Sequence, residues 1–138
     1  MKFSTFSKHL ESIEKVASRN EITVLLANLF KLLNKDEIAS ALYLMQGRVA
    51  PLYDSVEFGV AEISVAKSAI SAMNLEKKYF DTELKKLGDV GQTVEFFKKQ
   101  YSTLEEEDLA LMKVFEQLQL IATQNGEGSQ ERKSNILA

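Results

Sequence analysis

The segment ATQNGEGSQERK, at residues 122–133, carries the signals of a turn between two helices. Asn125-Gly126 follows an apolar stripe at helical spacing and therefore predicts a helix end, because glycine readily adopts the left-handed conformation found there. Ser129 is predicted to cap the next helix, since its hydroxyl can accept a hydrogen bond from a free backbone amide. An Asn-Gly pair indicates a β-hairpin only between alternating strands, and none flank it here. The segment therefore favours a helical fold.

Helical spacing also dominates the rest of the sequence. Apolar residues recur at intervals of three and four, which predicts amphipathic helices; the first such run is Phe3, Phe6, Leu10, Ile13 and Ala17. A denser segment, from Ile22 to Leu33, predicts a helix buried on most sides. The last helix, from Gln130, ends on apolar residues without a stop signal, as a helix cut in mid-element would. We expect an all-α fold, an irregular bundle of about seven or eight helices that is incomplete at the C-terminus.

Capping residues predict where other helices begin and end. Three residues are predicted to cap helix starts, namely Asp36, Asn74 and Asp89. Gly47 and Gly88 are predicted to end the helices that precede them. The pair Thr103 and Glu106 has capping-box spacing and predicts the start of the helix that leads to Asn125. The only proline, Pro51, lies in a break, after which a helix is expected from about Ala61 to Met73.

Length and composition restrict the class of protein. The chain has 138 residues, of which 45% are hydrophobic and 27% charged, which is enough for one domain with its own core. Cysteine is absent, which excludes disulfides, iron–sulfur clusters and thiolate zinc sites. No apolar stretch approaches the roughly 20 residues needed to cross a bilayer, and the first residues lack the apolar core of an export signal. We therefore expect no membrane partner.

The charge of the chain does not indicate a general affinity for nucleic acid. Its 17 basic and 20 acidic residues give a net charge of −3. Four of the acidic residues form one run, Glu105 to Asp108, which is predicted to serve the start of a helix. Without these four the chain has 16 acidic residues against 17 basic ones, so it is close to neutral. Any site for a polyanion must therefore be local.

The sequence contains no convincing active site. The single histidine, His9, lies on a charged helix face without a nearby triad partner and is predicted to be a surface residue. The sequence contains neither a P-loop nor the glycine-rich motifs of dinucleotide-binding enzymes or serine hydrolases.

Anion binding is better supported, at helix junctions that contain glycine. Helix N-termini offer unpaired amides, and glycine lets a phosphate approach the backbone closely. The turn at 126–133 combines two glycines and a serine with Arg132 and Lys133, although Glu127 and Glu131 oppose a phosphate there. Similar junctions occur at Gly47-Arg48 and at residues 88–91, behind Lys85 and Lys86. Each could instead be an ordinary turn, but together they suggest a surface that holds a phosphate backbone without reading bases.

The order of these features resembles the N-terminal DNA-binding domain of ATP-dependent DNA ligases of the archaeal and eukaryotic type. The resemblance extends over residues 1–138. Its first matching segments are the helix from Phe3 to Ile13, LYLMQG at 42–47 with Pro51, EFGV at 57–60 and the alanine-rich helix carrying Lys67. The later ones are GDVG at 88–91, residues 122–133 and ILA at 136–138. It covers about the first two-thirds of that domain. No lysine here is followed by x-Asp-Gly, the family's adenylation motif. The resemblance therefore implies a fragment without the nucleotidyltransferase and OB-fold domains, inactive alone.

The resemblance also implies a function and a set of contacts. In the family, this helical domain lies along the minor groove around a nick and holds the duplex by phosphate and sugar contacts during replication, repair and recombination. The residues placed at the DNA are Gly126, Gly128, Ser129, Gln130 and Lys133, together with Gly47 and Arg48. No cofactor is expected in this chain, whereas ATP and Mg²⁺ are implied for the full-length ligase. The implied partners are nicked double-stranded DNA, the missing ligase domains and a sliding clamp, in the cytoplasm at the nucleoid.

A second hypothesis is a helical protein–protein adaptor without nucleic-acid binding, suggested by the negative charge and the apolar C-terminal residues. If helices of the family domain are missing, part of the core should lie uncovered, and we expect exposed apolar side chains near Ile136 and Leu137.

Overall fold

A computed structural model describes residues 1–101 and 107–138, which form eight α-helices. They are α1 (Phe3–Glu14), α2 (Arg19–Leu32), α3 (Ile38–Met45), α4 (Glu62–Ala72), α5 (Lys77–Leu87), α6 (Val90–Gln100), α7 (Leu111–Ala122) and α8 (Ser129–Leu137). Within the described ranges there is no β-strand, and an isolated antiparallel bridge joins Lys2 to Ala110. The all-α class and the number of helices predicted from the sequence are confirmed. A search of the same ranges finds no helix with the length and apolar character that a bilayer crossing requires.

The contacts of the chain divide it into two compact units, each with its own apolar core. Unit 1 comprises Met1–Glu57 and Glu107–Leu120, and unit 2 comprises the described residues within 58–106 together with Ile121–Ala138. The core of unit 1 is formed by Phe6, Leu29, Leu33, Ala41 and Leu111. The core of unit 2 is formed by Phe80, Val90 and Phe97, with the two phenylalanine rings stacked at 5.7 Å between centroids. The length predicts a single domain with its own core, whereas the described residues pack around an apolar cluster in each unit.

The helix ends that were predicted at Gly47 and Gly88 are present, one in each unit. Gly47 follows α3 with φ +68°, and the next amide, that of Arg48, donates to Tyr43 O at 2.9 Å. Gly88 follows α5 with φ +73° and donates to Leu84 O at 2.8 Å. Left-handed backbone of this kind strains residues with a Cβ, which is why glycine marks these ends in the sequence. Asp89 caps α6 as predicted, because its carboxylate accepts from Gln92 N at 2.7 Å.

Two other capping predictions are wrong. Asp36 does not cap α3, which has Glu37 at its N-cap and no capping side chain. In the turn before it, Asn34 Oδ1 accepts from the amides of Asp36 and Glu37 at 2.9 Å. Asn74 does not cap α5 but follows the end of α4 in a left-handed conformation, with φ +49°. Asparagine is suited to both positions because its short polar side chain tolerates left-handed backbone and also accepts from amides.

Helix α2 is less buried than its apolar sequence predicts. Leu29 is fully buried, but Val24 and Leu32 are 58% and 59% exposed. The prediction of a helix buried on most sides is therefore wrong: α2 contributes one face to the core of unit 1 and leaves apolar side chains on the other.

Helix α7 begins at Leu111, eight residues after the predicted capping residue Thr103. Thr103, Glu105 and Glu106 lie outside the described residues, but residues 107–110 are not helical. Phe3 N donates to Leu109 O at 2.8 Å and Leu111 N donates to Met1 O at 2.9 Å. Pairing with the start of the chain therefore holds this segment extended, and the end of the acidic run does not serve a helix start as predicted.

Candidate phosphate-binding turn

The turn between α7 and α8 presents its backbone to solvent. Residues 125–128 are exposed, and Gly126 and Gly128 have φ values of +82° and +73°. Both glycines therefore occupy the left-handed region, where a side chain would be strained. Ser129 N donates to Gly126 O at 3.2 Å and closes the turn. The chain thus enters α8 through a compact, glycine-dependent turn.

Ser129 does not cap α8, contrary to the prediction. It is the first residue of the helix, the preceding residue is Gly128, and no side chain accepts from the first turn. Arg132 N donates to Gly128 O at 3.1 Å, as in a regular first turn. Helix geometry leaves the amides of Gln130 and Glu131 without an intrahelical acceptor. The absence of a capping side chain leaves this amide-rich end open to an anion.

The side chain of Arg132 holds the turn in its conformation by hydrogen bonds. Its guanidinium donates to Gln124 Oε1 at 3.0 Å, to Glu127 O at 3.0 Å and to Asn125 O at 2.7 Å. A planar guanidinium is suited to such a set of bonds because its donors have a fixed geometry. The sequence places Arg132 in the first turn of the helix, but Arg132 is not among the predicted contacts. Its side chain brings a positive charge to the exposed turn.

Lys133 points into unit 2, where it is only 6% exposed, and its ammonium donates to Phe58 O at 2.8 Å. Gln130 Nε2 donates to the neighbouring carbonyl, Gly59 O, at 3.1 Å. The Lys133 donor is therefore turned inward, toward a carbonyl, and it ties α8 to the segment before α4. The Gln130 side chain has the same role, which leaves its backbone amide for a ligand. The predicted phosphate contact of the Lys133 side chain stays a prediction that its packing does not favour.

A pair of serines completes the attachment of α8. Ser68, in α4, is 2% exposed, and its hydroxyl lies 2.7 Å from Ser134 Oγ and 3.1 Å from Ser134 O. Gln130, Lys133 and Ser134 follow the i, i+3, i+4 spacing of one helix face. Helix α8 therefore docks through a polar stripe. Of the two apolar residues predicted to be exposed at this end of the chain, Leu137 is 37% exposed and Ile136 is half-buried, so the prediction is met only at Leu137.

The second predicted junction, Gly47-Arg48, lies in unit 1. The Arg48 guanidinium donates to three backbone carbonyls of the following loop, Ala50 O at 3.1 Å, Pro51 O at 3.2 Å and Asp54 O at 3.1 Å. Through these bonds the Arg48 side chain holds the loop around Pro51 in shape. Of the seven predicted contact residues, the structure brings together the five at the entrance to α8 and places these two in the other unit.

Outside this turn, the polar side chains considered for other chemistry are His9 and the carboxylates. His9 lies on α1, where it is half-buried. In the ranges that the structure describes, no group of three or more histidine, cysteine, aspartate or glutamate side chains could hold a metal ion. The charged side chains at the exposed turn are those of Glu127, Glu131 and Arg132, which together carry a net negative charge. An anion would therefore be held there by backbone amides and one guanidinium.

Comparison with known proteins identifies the family. The family model described as "DNA ligase N terminus" matches residues 2–138. A probable DNA ligase of Dictyoglomus turgidum is 40% identical over 140 residues, covering 100% of this chain and 23% of the relative. DNA ligases of Ignicoccus hospitalis and Nitrosopumilus maritimus are 36% and 31% identical, again over 100% of this chain and over 25% and 24% of their own lengths. The chain spans about a quarter of these relatives. The predicted resemblance is thus confirmed, and the chain belongs to the family of DNA ligase N-terminal domains.

Proposed function

We propose that this chain is the DNA-holding part of an ATP-dependent DNA ligase that acts on nicked duplex DNA in replication, repair and recombination. The α8 entrance contacts the phosphate backbone along the minor groove through the amides of Gly126, Gly128 and Gln130 and through the Ser129 hydroxyl. Arg132, Lys133 and the Gln130 side chain position this entrance. Gly47 and Arg48 shape a second loop that contacts the same duplex.

One observation carries the proposal: the entrance to α8 is an exposed glycine turn with no capping side chain, in a chain that belongs to the DNA ligase N-terminal family. Unpaired amides at a helix start carry partial positive charge and fit a phosphate oxygen. Such contacts are independent of base sequence, which suits a protein that must hold any nick. Because Arg132 already fastens the turn, little ordering is needed on binding, and less affinity is lost to entropy.

The charge of the chain sets the expected strength of binding. With a net charge of −3 and with Lys133 buried, few cations are available at the entrance to α8 to replace counterions on DNA. We therefore expect weak binding that decreases further with salt, each neutralised phosphate contributing about −0.9 to the slope of log K against log salt.

The chemistry of ligation belongs to other parts of the parent protein in this proposal. A ligase requires ATP and Mg²⁺, but the residues of this chain do not fit either group: the sequence has no Lys-x-Asp-Gly, and the described residues hold no carboxylate cluster for a metal. The chain therefore contributes duplex binding and positioning. Its further proposed partners are the catalytic domains of the same ligase and a sliding clamp, in the cytoplasm at the nucleoid.

The proposal is tested by placing a negative charge at the turn. In Ser129→Glu, an acidic side chain in the first turn of α8 favours the helix dipole, so folding is preserved, but the carboxylate repels a phosphate. Ser4→Glu is the matched control, because Ser4 is an exposed residue in the first turn of α1. Fluorescence anisotropy with a labelled nicked duplex should show at least about fivefold weaker binding for Ser129→Glu than for Ser4→Glu.

Equal affinities of the two variants, each with the thermal stability of the wild type, would overturn the assignment of the phosphate contacts to this turn. Absence of salt dependence in the wild type would argue against phosphate binding altogether.

A further inference from the structure

A surface groove in unit 2 has no part in the DNA contacts proposed above. It has a volume of about 520 Å³ and lies between α4 and α5 at the start of α6. Its apolar lining includes Ala66, Ile70, Leu84 and Val90, which also pack on or belong to the core around Phe80. At its edge, Ile63 is 70% exposed. The groove thus exposes one side of the unit 2 core.

The groove follows its two helices for two turns. On α4 the groove is lined by Ile63, Lys67 and Ile70, which are spaced i, i+4 and i+7. On α5 it is lined by Lys77, Leu84 and Lys85. Seven residues of helix rise about 10 Å. A ligand helix that presents apolar anchors at i, i+3 or i+4, and i+7 covers the same length. The small side chain of Ala66 allows such a helix to approach α4 closely.

The charged residues at the groove favour an acidic occupant. Lys77 is paired with Asp81 at 2.7 Å, so this pair adds no net charge. Lys67, on α4, and Lys85, on α5, are exposed, and neither forms an ion pair within the described part of the chain. Glu62 is the one remaining acidic residue in the lining, which leaves a net positive charge. Cations on both helices would flank an occupant from two sides.

We propose that this groove binds an amphipathic helix of a partner protein, with apolar residues facing Ala66, Ile70 and Leu84 and with acidic residues on both flanks facing Lys67 and Lys85. The interaction is independent of the proposed DNA contacts at the entrance to α8. It gives the ligase chain a docking surface for a protein partner of defined chemistry.

The test uses two fluorescein-labelled model peptides of 18 residues, both helical, with leucine at i, i+3, i+4 and i+7. One has glutamate on both flanks of the leucine stripe and the other has lysine. By fluorescence anisotropy, the glutamate peptide should bind the 138-residue chain at least about tenfold more tightly than the lysine peptide. Ile63→Asp should weaken binding of the glutamate peptide by a similar factor, since it places a charge at the apolar edge.

Charge reversal supplies the specific control. The double variant Lys67→Glu/Lys85→Glu should reverse the preference, so that the lysine peptide binds more tightly. Lys35→Glu/Lys78→Glu makes the same change in net charge at exposed lysines outside the groove and should keep the original preference. Circular dichroism melts confirm that both double variants fold.

Three results would overturn the proposal: equal binding of the two peptides, equal effects of the two double variants, or a leucine stripe that can be scrambled without loss of affinity. A fourth would reassign the surface. If Lys67→Glu/Lys85→Glu weakens binding to a nicked duplex more than Lys35→Glu/Lys78→Glu does, and leaves peptide binding unchanged, the groove faces DNA and the docking proposal is wrong.

Discussion

The buried ammonium of Lys133 donates to the carbonyl oxygen of Phe58 at 2.8 Å, joining α8 to the segment that precedes α4 across 75 positions of sequence. A lysine beside a glycine turn in a DNA ligase domain suggests a phosphate contact, yet here it has an internal acceptor. The entrance to α8 is therefore positioned by Lys133, and in the function proposed above the contact with the ligand falls to backbone amides. This division between positioning and contact leads to the following predictions.

The substitution Lys133→Met should lower stability without changing the salt dependence of DNA binding. Methionine preserves much of the volume but leaves Phe58 O without its donor, which should cost about 1–2 kcal/mol of unfolding free energy. A direct phosphate contact would instead contribute to the slope of log K against log salt, and its loss would reduce that slope by about 0.9. Urea denaturation gives the first quantity and anisotropy at several salt concentrations the second; a reduced slope would mean that Lys133 touches DNA.

The substitution Arg132→Lys should loosen the turn although the charge is kept. Lysine cannot reproduce the three bonds to Gln124, Asn125 and Glu127, because its ammonium lacks the planar fork. We expect faster amide hydrogen exchange at residues 125–128 and about fivefold weaker binding to a nicked duplex. Unchanged exchange in this variant would show that the turn is held by its glycine geometry alone.

Gly59→Ala should destabilise the chain more than Gly88→Ala. Both glycines are in unit 2 with positive φ, +55° and +73°, so both variants carry backbone strain of about 1 kcal/mol. At Gly59 the added Cβ would also lie 2.9 Å from Lys133 Nζ, whereas nothing lies within 4 Å at Gly88. We expect up to about 1 kcal/mol of additional loss at Gly59, because Lys133 Nζ must shift and its bond to Phe58 O is weakened. Urea midpoints that are equal for the two variants would contradict the close packing of Lys133 on this segment.

The stability of unit 1 should depend on the ionised form of Glu37. Its buried carboxylate pairs with the N-terminal ammonium of Met1 and accepts from Asn34 N at 3.0 Å, and these bonds hold the pKa of Glu37 below its ordinary value. A carboxyl whose pKa is lower in the folded state than in the unfolded state stabilises the fold when it is ionised. This stabilisation is complete above the pKa of the unfolded state, about 4.3, and is lost as the pH falls through the pKa of the folded state. Glu37→Gln should therefore cost about 3 kcal/mol at pH 7 and lessen the decline in stability below about pH 4.

Urea denaturation at pH 7, 5, 4 and 3 measures both effects of Glu37→Gln. Glu14→Gln serves as the control, because Glu14 is an exposed residue on α1 and its substitution should leave the pH profile unchanged. Parallel profiles for the wild type and Glu37→Gln would show that the pair with Met1 does not govern acid stability.

Helix ends that depend on local backbone chemistry could be predicted from the sequence, whereas those that depend on distant pairing could not. Gly47 and Gly88 end helices because only glycine adopts their φ without strain, which is a property of a single residue. The start of α7 was misplaced because residues 107–110 are held extended by the first residues of the chain. The bonds from Phe3 N to Leu109 O and from Leu111 N to Met1 O join segments more than a hundred positions apart, and no local pattern reveals them.

The candidate site likewise combines features that the local sequence predicts with features that depend on tertiary packing. The exposed glycine turn before α8 was found from its sequence, because glycines next to a helix start are a local signal. The inward direction of Lys133 was missed, since lysine is rarely buried and its acceptor, Phe58 O, is brought near only by tertiary packing. The role of Arg132 in holding the turn could not be predicted, because its bonds to Asn125 and Glu127 depend on the folded shape of the turn.

Contact between the backbone amides at the entrance to α8 and the phosphates of a nicked duplex can be observed by titrating the ¹⁵N-labelled chain with unlabelled nicked DNA and following amide chemical shifts. We expect the largest shifts at residues 126–131, reduced by added salt, with little change at the buried Phe80 and Phe97. Unmoved resonances at residues 126–131, with shifts on other surfaces, would show that the phosphates are held elsewhere.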